Sequence, residues 1–133
     1  MSEIVSLVFE SRPLNAPQME TLRLETTGVL TVDEKWTEVR FPDSSPQHRG
    51  ELALRFAPQS IELESRYERK NILKFSTLHP QKIHYETPHG TFEFQTEVLR
   101  YLFQKTSYML HYRLWSGKTL IGEVQVQLTF RKE

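Results

Sequence analysis

The side chains that could move protons or hold a metal in this chain are its histidines and carboxylates. Five histidines occur, at His48, His79, His84, His89 and His111. A tetrahedral metal site usually draws on pairs that share a face, at i+4 on a helix or i+2 on a strand. The intervals here are five or larger, so the histidines read as exposed polar residues and no metal site is predicted. Cysteine is absent, which excludes disulfides, thiolate ligands and a cysteine nucleophile. There is neither a Gly-X-X-X-X-Gly-Lys phosphate loop nor a Gly-X-Ser-X-Gly elbow, and Ser116 beside Gly117 reads as a turn residue. Glu62, Glu64, Glu86, Glu93 and Glu123 fall on faces that alternation makes solvated. A general acid needs a desolvated carboxyl to raise its pKa. No catalytic residue and no cofactor are therefore predicted.

The tyrosines say more. Tyr67, Tyr85, Tyr108 and Tyr112 fall on strand faces that register places inside, or close to it. A buried phenol must find a partner for its hydroxyl, and several converging phenols could orient a small amphipathic ligand in an apolar cavity. The same rings could instead simply plug the interior. Arg113 and His111 are candidates of a different kind. Turned inward they could grip a carboxylate, with arginine making a bidentate pair, and turned outward they are surface residues. Trp36 and Trp115 either anchor a partner or cap an end.

These residues sit on strands. From Leu120 to Phe130 the chain alternates, with Leu120, Gly122, Val124, Val126, Leu128 and Phe130 on one side. Ile121, Glu123, Gln125, Gln127 and Thr129 occupy the other, the pattern of a strand with one dry and one wet face. The same period marks Glu3 to Glu10, Met19 to Thr26, Thr37 to Phe41 before Pro42, Leu52 to Phe56, and Ile61 toward Tyr67. It continues at Leu73 and Phe75, Ile83 and Tyr85, Phe92 and Phe94, and Tyr108 to Trp115. Thr96 to Gln104 suits a helical turn, or a strand if a bulge near Val98 shifts its phase; strand is the reading adopted. Ser11 to Gln18 and Pro42 to Gly50 are the expected flexible segments. The chain of 133 residues makes a single domain, residues 1–133, with no repeat or linker. Frequent strands with short turns predict an all-β sandwich or barrel of about 8–10 strands rather than βαβ units.

Two hairpins test the register, because a slip of one residue inverts every side chain. A loop from Thr87 to Gly90 pairs Glu86 with Thr91 and Tyr85 with Phe92, keeping Ile83 and Phe94 on their face. Around Ser116-Gly117-Lys118, a three-residue loop sets Tyr112, Leu110 and Tyr108 with Gly122, Val124 and Val126. A two-residue loop would set Arg113 and His111 there instead. Apolar consistency favours the three-residue loop.

Lysine plus arginine number 17 and aspartate plus glutamate 17. Without a basic excess, binding to nucleic acid or to an anionic membrane is not expected. No apolar run reaches the length of a membrane span, and Met1-Ser2-Glu3 does not begin a secretory signal, so a cytoplasmic protein is expected.

The string Tyr85-Glu86-Thr87-Pro88-His89-Gly90-Thr91-Phe92, then Thr96, then Tyr112-Arg113-Leu114, resembles the middle of the YwiB-like family of uncharacterised bacterial proteins, a domain of unknown function. Thr27-Gly28-Val29 also looks like that family's second-strand turn. Where the family often places Gly soon after Arg in its central hairpin, Arg66-Tyr67-Glu68-Arg69 has none. The resemblance implies a single antiparallel up-and-down β-barrel, calycin-like and related in shape to lipocalins. It implies no reaction, ligand or catalytic residue. The function expected is that of a non-enzymatic barrel binding a small amphipathic molecule in its lumen. A protein-interaction or homo-oligomerisation module with a filled barrel is the alternative. An enzyme using His111 or Glu123 as a base at the barrel mouth is a third possibility.

Overall fold

The computed structural model describes residues 2–14, 20–45 and 48–133, apart from the side chains of residues 44, 45 and 48. Ten strands follow one another: β1 (Ser2–Pro13), β2 (Leu22–Val32), β3 (Thr37–Ser45), β4 (His48–Phe56), β5 (Ser60–Arg66), β6 (Lys70–Ser76), β7 (Gln81–Thr87), β8 (Gly90–Phe103), β9 (Ser107–Ser116) and β10 (Thr119–Lys132). They form one antiparallel sheet in the order β6-β5-β4-β3-β2-β1-β10-β9-β8-β7. Each strand pairs with its neighbours in sequence, except that β1 pairs β10 and no ladder joins β6 to β7. The sheet curls into an up-and-down barrel closed everywhere but at that seam.

Alternation explains the core. Val5, Leu7 and Phe9 of β1 meet Val39 and Phe41 of β3, Leu54 and Phe56 of β4, and Val124, Val126 and Leu128 of β10 in one buried cluster. A residue pointing into such a cluster loses nearly all its contact with water, at roughly 25 cal/mol per Å² of apolar surface.

Several expectations are refined. Thr27-Gly28-Val29 is not a turn but lies inside β2, where Gly28 pairs with Val5. A Cβ at Gly28 would come within 2.6 Å of the Arg40 carbonyl oxygen and 2.8 Å of Leu7 Cδ2, so this crossing admits no side chain. β2 begins at Leu22 and runs on to Val32; Met19 lies outside the described residues. Pro42 does not end β3, which pairs with β4 from Thr37 through Ser45. Its ladder to β2 reaches only Arg40, so the proline nitrogen interrupts nothing there. Of the two segments expected to be flexible, Ser11–Pro13 belongs to β1, and Pro42–Ser45 and 48–50 are strand. Leu14 follows as a bend whose N–H donates to the Glu123 carbonyl at 2.8 Å, while residues 15–18 of the first segment and residues 46 and 47 of the second lie outside the described residues.

The Thr87-to-Gly90 hairpin has the expected pairing, Tyr85 with Phe92 and Glu86 with Thr91, and Gly90 takes φ +123°. The last hairpin differs. Its loop is two residues, Gly117-Lys118, with Ser116 opposite Thr119 and Gly117 at φ +58°, as a type II′ turn requires. A bulge between Leu120 and Gly122 then restores the phase, so Tyr112 faces Val124 and Leu110 faces Val126. The expected faces hold, but through a shorter turn and an extra residue. β8 is a strand along the ambiguous stretch, and its register shifts between Val98 and Arg100.

Candidate functional site

The two ends of the barrel are built differently. At the end formed by residues 57–59, 77–80 and 104–106, aromatic rings close the interior. Phe56 stacks on Tyr108 with centroids 4.0 Å apart, Phe103 meets Tyr108 edge-on at 5.2 Å, and Phe130 stacks on it at 5.9 Å. Tyr101 reaches across this end and donates its hydroxyl to the Ala57 carbonyl at 2.8 Å. Burial raises the pKa of Tyr101 and of Tyr108, so both stay neutral phenols.

The opposite end, where β5 turns into β6 and β7 into β8, holds a cavity of about 500 Å³ lined by Tyr67, Tyr85, Asn71, Ser65, Arg49 and Arg69 among others. Tyr67 stands just past β5, 39% exposed, and two neighbours fix it there. Its hydroxyl donates to Asp43 Oδ2 at 2.7 Å, and Asp43 is itself buried. Its ring lies on Gly50, where an added Cβ would collide with the Tyr67 ring and the Arg66 carbonyl. Burial raises the pKa of Tyr67, and the Asp43 carboxylate and the Tyr85 phenol add to it. Tyr112, buried below and packed 4.6 Å from the Phe75 ring, has its pKa raised by burial and by Tyr85. Tyr85 thus lies near both Tyr67 and Tyr112, whereas Tyr108 belongs to the plug. Along the β7–β8 hairpin the rings of Tyr85, Phe94 and Phe92 follow one another at 6.3 Å, ending in a Phe92 that is 46% exposed.

One wall of the mouth is the seam. The Asn71 amide imitates a ladder partner: Nδ2 donates to the Glu86 carbonyl at 3.0 Å, and Oδ1 accepts from the Glu86 N–H at 2.8 Å. Lower down, the buried Thr96 hydroxyl donates to the Lys74 carbonyl at 2.6 Å. Side chains therefore do at this junction what main-chain bonds do at the others.

His111 and Arg113 are on the outside. Glu123 accepts from Arg113 Nε at 2.9 Å and meets His111 Nε2 at 2.7 Å. The hydrogen bonds from Arg113 and then His111 lower the Glu123 pKa. They form a cluster on the outer face of β9 and β10, because the bulge in β10 turns them away from the interior. Among the described residues no group of three His, Asp or Glu could hold a metal ion, and no helix is long and apolar enough to cross a membrane.

One carboxylate departs from expectation. Glu64 lies on the outer face of β5, as alternation says, but it is 1% exposed rather than solvated. Arg55 Nη2 at 2.7 Å and Arg66 Nε at 2.9 Å cover it, with Arg40 at 3.5 Å and Lys70 at 3.9 Å. Alternation assigns a face but not what lies over it. Asp43, Gly50 and Asn71 also escaped the sequence reading; an Asn amid alternating apolar residues in β6 was the one available signal.

The model of a family described as a domain of unknown function (DUF1934) matches residues 9–128. No curated protein matches. Among solved structures, the crystal structure of the ywiB protein from Bacillus subtilis superposes with a TM-score of 0.77 at 12% identity, over 99% of this chain and 93% of that one. At that identity the likeness shows the fold alone.

Proposed function

The chain belongs to the domain-of-unknown-function family DUF1934, and from that premise we propose that its barrel is a non-enzymatic receptacle for a small amphipathic molecule. The ligand sits at the Tyr67–Tyr85 mouth rather than along the whole lumen, whose middle is filled by the apolar cluster. The asymmetry of the barrel carries this reading: rings seal one end, while the other holds a cavity of about 500 Å³, within the size range of small-molecule sites. Tyr85 offers a stacking face for an apolar body. The Tyr67 and Tyr85 phenols, Ser65, Asn71 and the two arginines offer polar contacts.

Native mass spectrometry of protein purified from its host tests the reading. A co-purifying small molecule is expected, lost in Tyr85→Ala and kept in Tyr108→Phe, with the neutral dye Nile red following the same order. A ligand-free protein that ignores Nile red, or equal binding by Tyr85→Ala, would refute it.

Self-association is the second reading. Ile4 and Val29 face each other across β1 and β2, 60% and 44% exposed. Light scattering after size exclusion decides: a strict monomer removes this reading.

A further inference from the structure

The outside of the seam has a character of its own. β6 and β7 end the sheet, so their facing main-chain groups have no ladder. Between them runs a second cavity, of about 300 Å³, lined by Lys70, Asn71, Ile72, Lys74, Lys82, Ile83, His84 and Glu86. Strand alternation puts Lys70 and Lys74 on the outer face of β6 and Lys82 on that of β7, so cations approach the groove from both sides. Among the described residues Lys74 and Lys82 form no ion pair. Glu62, the cross-strand neighbour of Lys74, is engaged by Arg55 at 3.2 Å. Lys70 lies 3.9 Å from Glu64, which two arginines already hold, and His84 lies 3.5 Å from Glu93. Among the described residues Glu86 is the one carboxylate lining the groove.

We propose that this groove binds a phosphate-bearing anion, with Lys70, Lys74 and Lys82 as its cationic walls. Lysine suits the task as a point charge that follows a tetrahedral anion without fixed fork geometry. The volume accommodates a small phosphorylated compound. Lysines along an open edge also discourage strand pairing, but that duty does not require two unpaired cations to face each other across a concave surface. The site is separate from the tyrosine mouth, since the Asn71–Glu86 bridge stands between the two cavities.

The test is a titration of the ¹⁵N-labelled protein with inorganic phosphate, ionic strength held constant with sodium chloride. Saturable shifts confined to the amides of β6 and β7 are expected, with at least tenfold weaker binding in the Lys74→Gln/Lys82→Gln double variant. Lys118→Gln, in the β9–β10 turn, should bind as the parent does. Phosphatidylcholine vesicles with and without phosphatidic acid separate the sources. Co-sedimentation that needs phosphatidic acid and both lysines assigns the phosphate to a lipid headgroup, and binding of inorganic phosphate without co-sedimentation assigns it to a free anion. If neither probe engages the β6–β7 amides, or the double variant binds as tightly as the parent, the proposal fails and the lysines only guard an edge. Tyr85→Ala should leave phosphate binding unchanged, so the fates of the two sites can be told apart.

Discussion

Glu64 sits opposite Ala53 in the β4–β5 ladder, and that alanine is small enough for arginines from both sides to close over the carboxylate. Burial disfavours its charge, but the hydrogen bonds of Arg55 and Arg66, with the charges of Arg55 and Lys70, outweigh burial and hold its pKa at about 2. A carboxyl more acidic in the folded chain than in the unfolded one stabilises the fold fully above its ordinary pKa and loses that contribution as pH falls toward 2. Glu64→Gln should therefore cost roughly 2–3 kcal/mol at pH 7, and its urea midpoint should fall less than the parent's between pH 4.5 and pH 2. Gly50 makes a different demand. Gly50→Ala puts a methyl where the Tyr67 ring lies, and overpacking of this kind costs about 1–3 kcal/mol. Chemical denaturation reads that loss, and weaker Nile red binding would report the displaced ring. Neither residue could be singled out from the sequence. Period two tells on which side Glu64 and Gly50 stand, while their neighbours come from other strands through registers the sequence does not spell out.

Face assignments were legible because every inverted strand would expose a row such as Val124, Val126 and Leu128. Loop lengths were less so. A three-residue loop, and a two-residue turn followed by a bulge, deliver the same side chains to the same faces, so the apolar pattern cannot tell them apart. The bulge takes up one extra residue, Ile121, which a two-residue turn would otherwise pass on as an inverted register. Deleting Ile121 should therefore leave Tyr112 opposite Val124 and Arg113 opposite Glu123 in an unbulged two-residue hairpin, and we expect the cooperative thermal transition by circular dichroism to be retained. Asn71 does the corresponding work at the seam. Asn71→Ala removes both bonds to Glu86, which leaves main-chain groups unpartnered at about 1–3 kcal/mol. Hydrogen exchange at the Glu86 amide should accelerate well beyond that at Val126, whose ladder is intact on both sides.

The division of the barrel into a sealed and an open end was not visible in the tyrosines themselves. Tyr108 and Tyr112 share a face of β9, four residues apart, yet one joins the plug and the other lies beneath the mouth. Position along the barrel axis depends on the stagger of all ten strands, a property of the closed sheet. The plug should dominate stability: Tyr108→Ala removes the ring shared by Phe56, Phe103 and Phe130, and we expect about 3–5 kcal/mol lost on denaturation with Nile red binding retained.

The missing β6–β7 ladder also has a consequence for how this polypeptide could be rewired. The ladder between the most distant segments joins β1 to β10, with Val5 opposite Lys132. If those ends were linked and the chain cut within residues 77–80, the sheet would read as an uninterrupted meander in which every ladder joins consecutive strands. Because folding slows as contacts span more sequence, such a circular permutant should refold faster than the parent, and stopped-flow refolding would measure by how much.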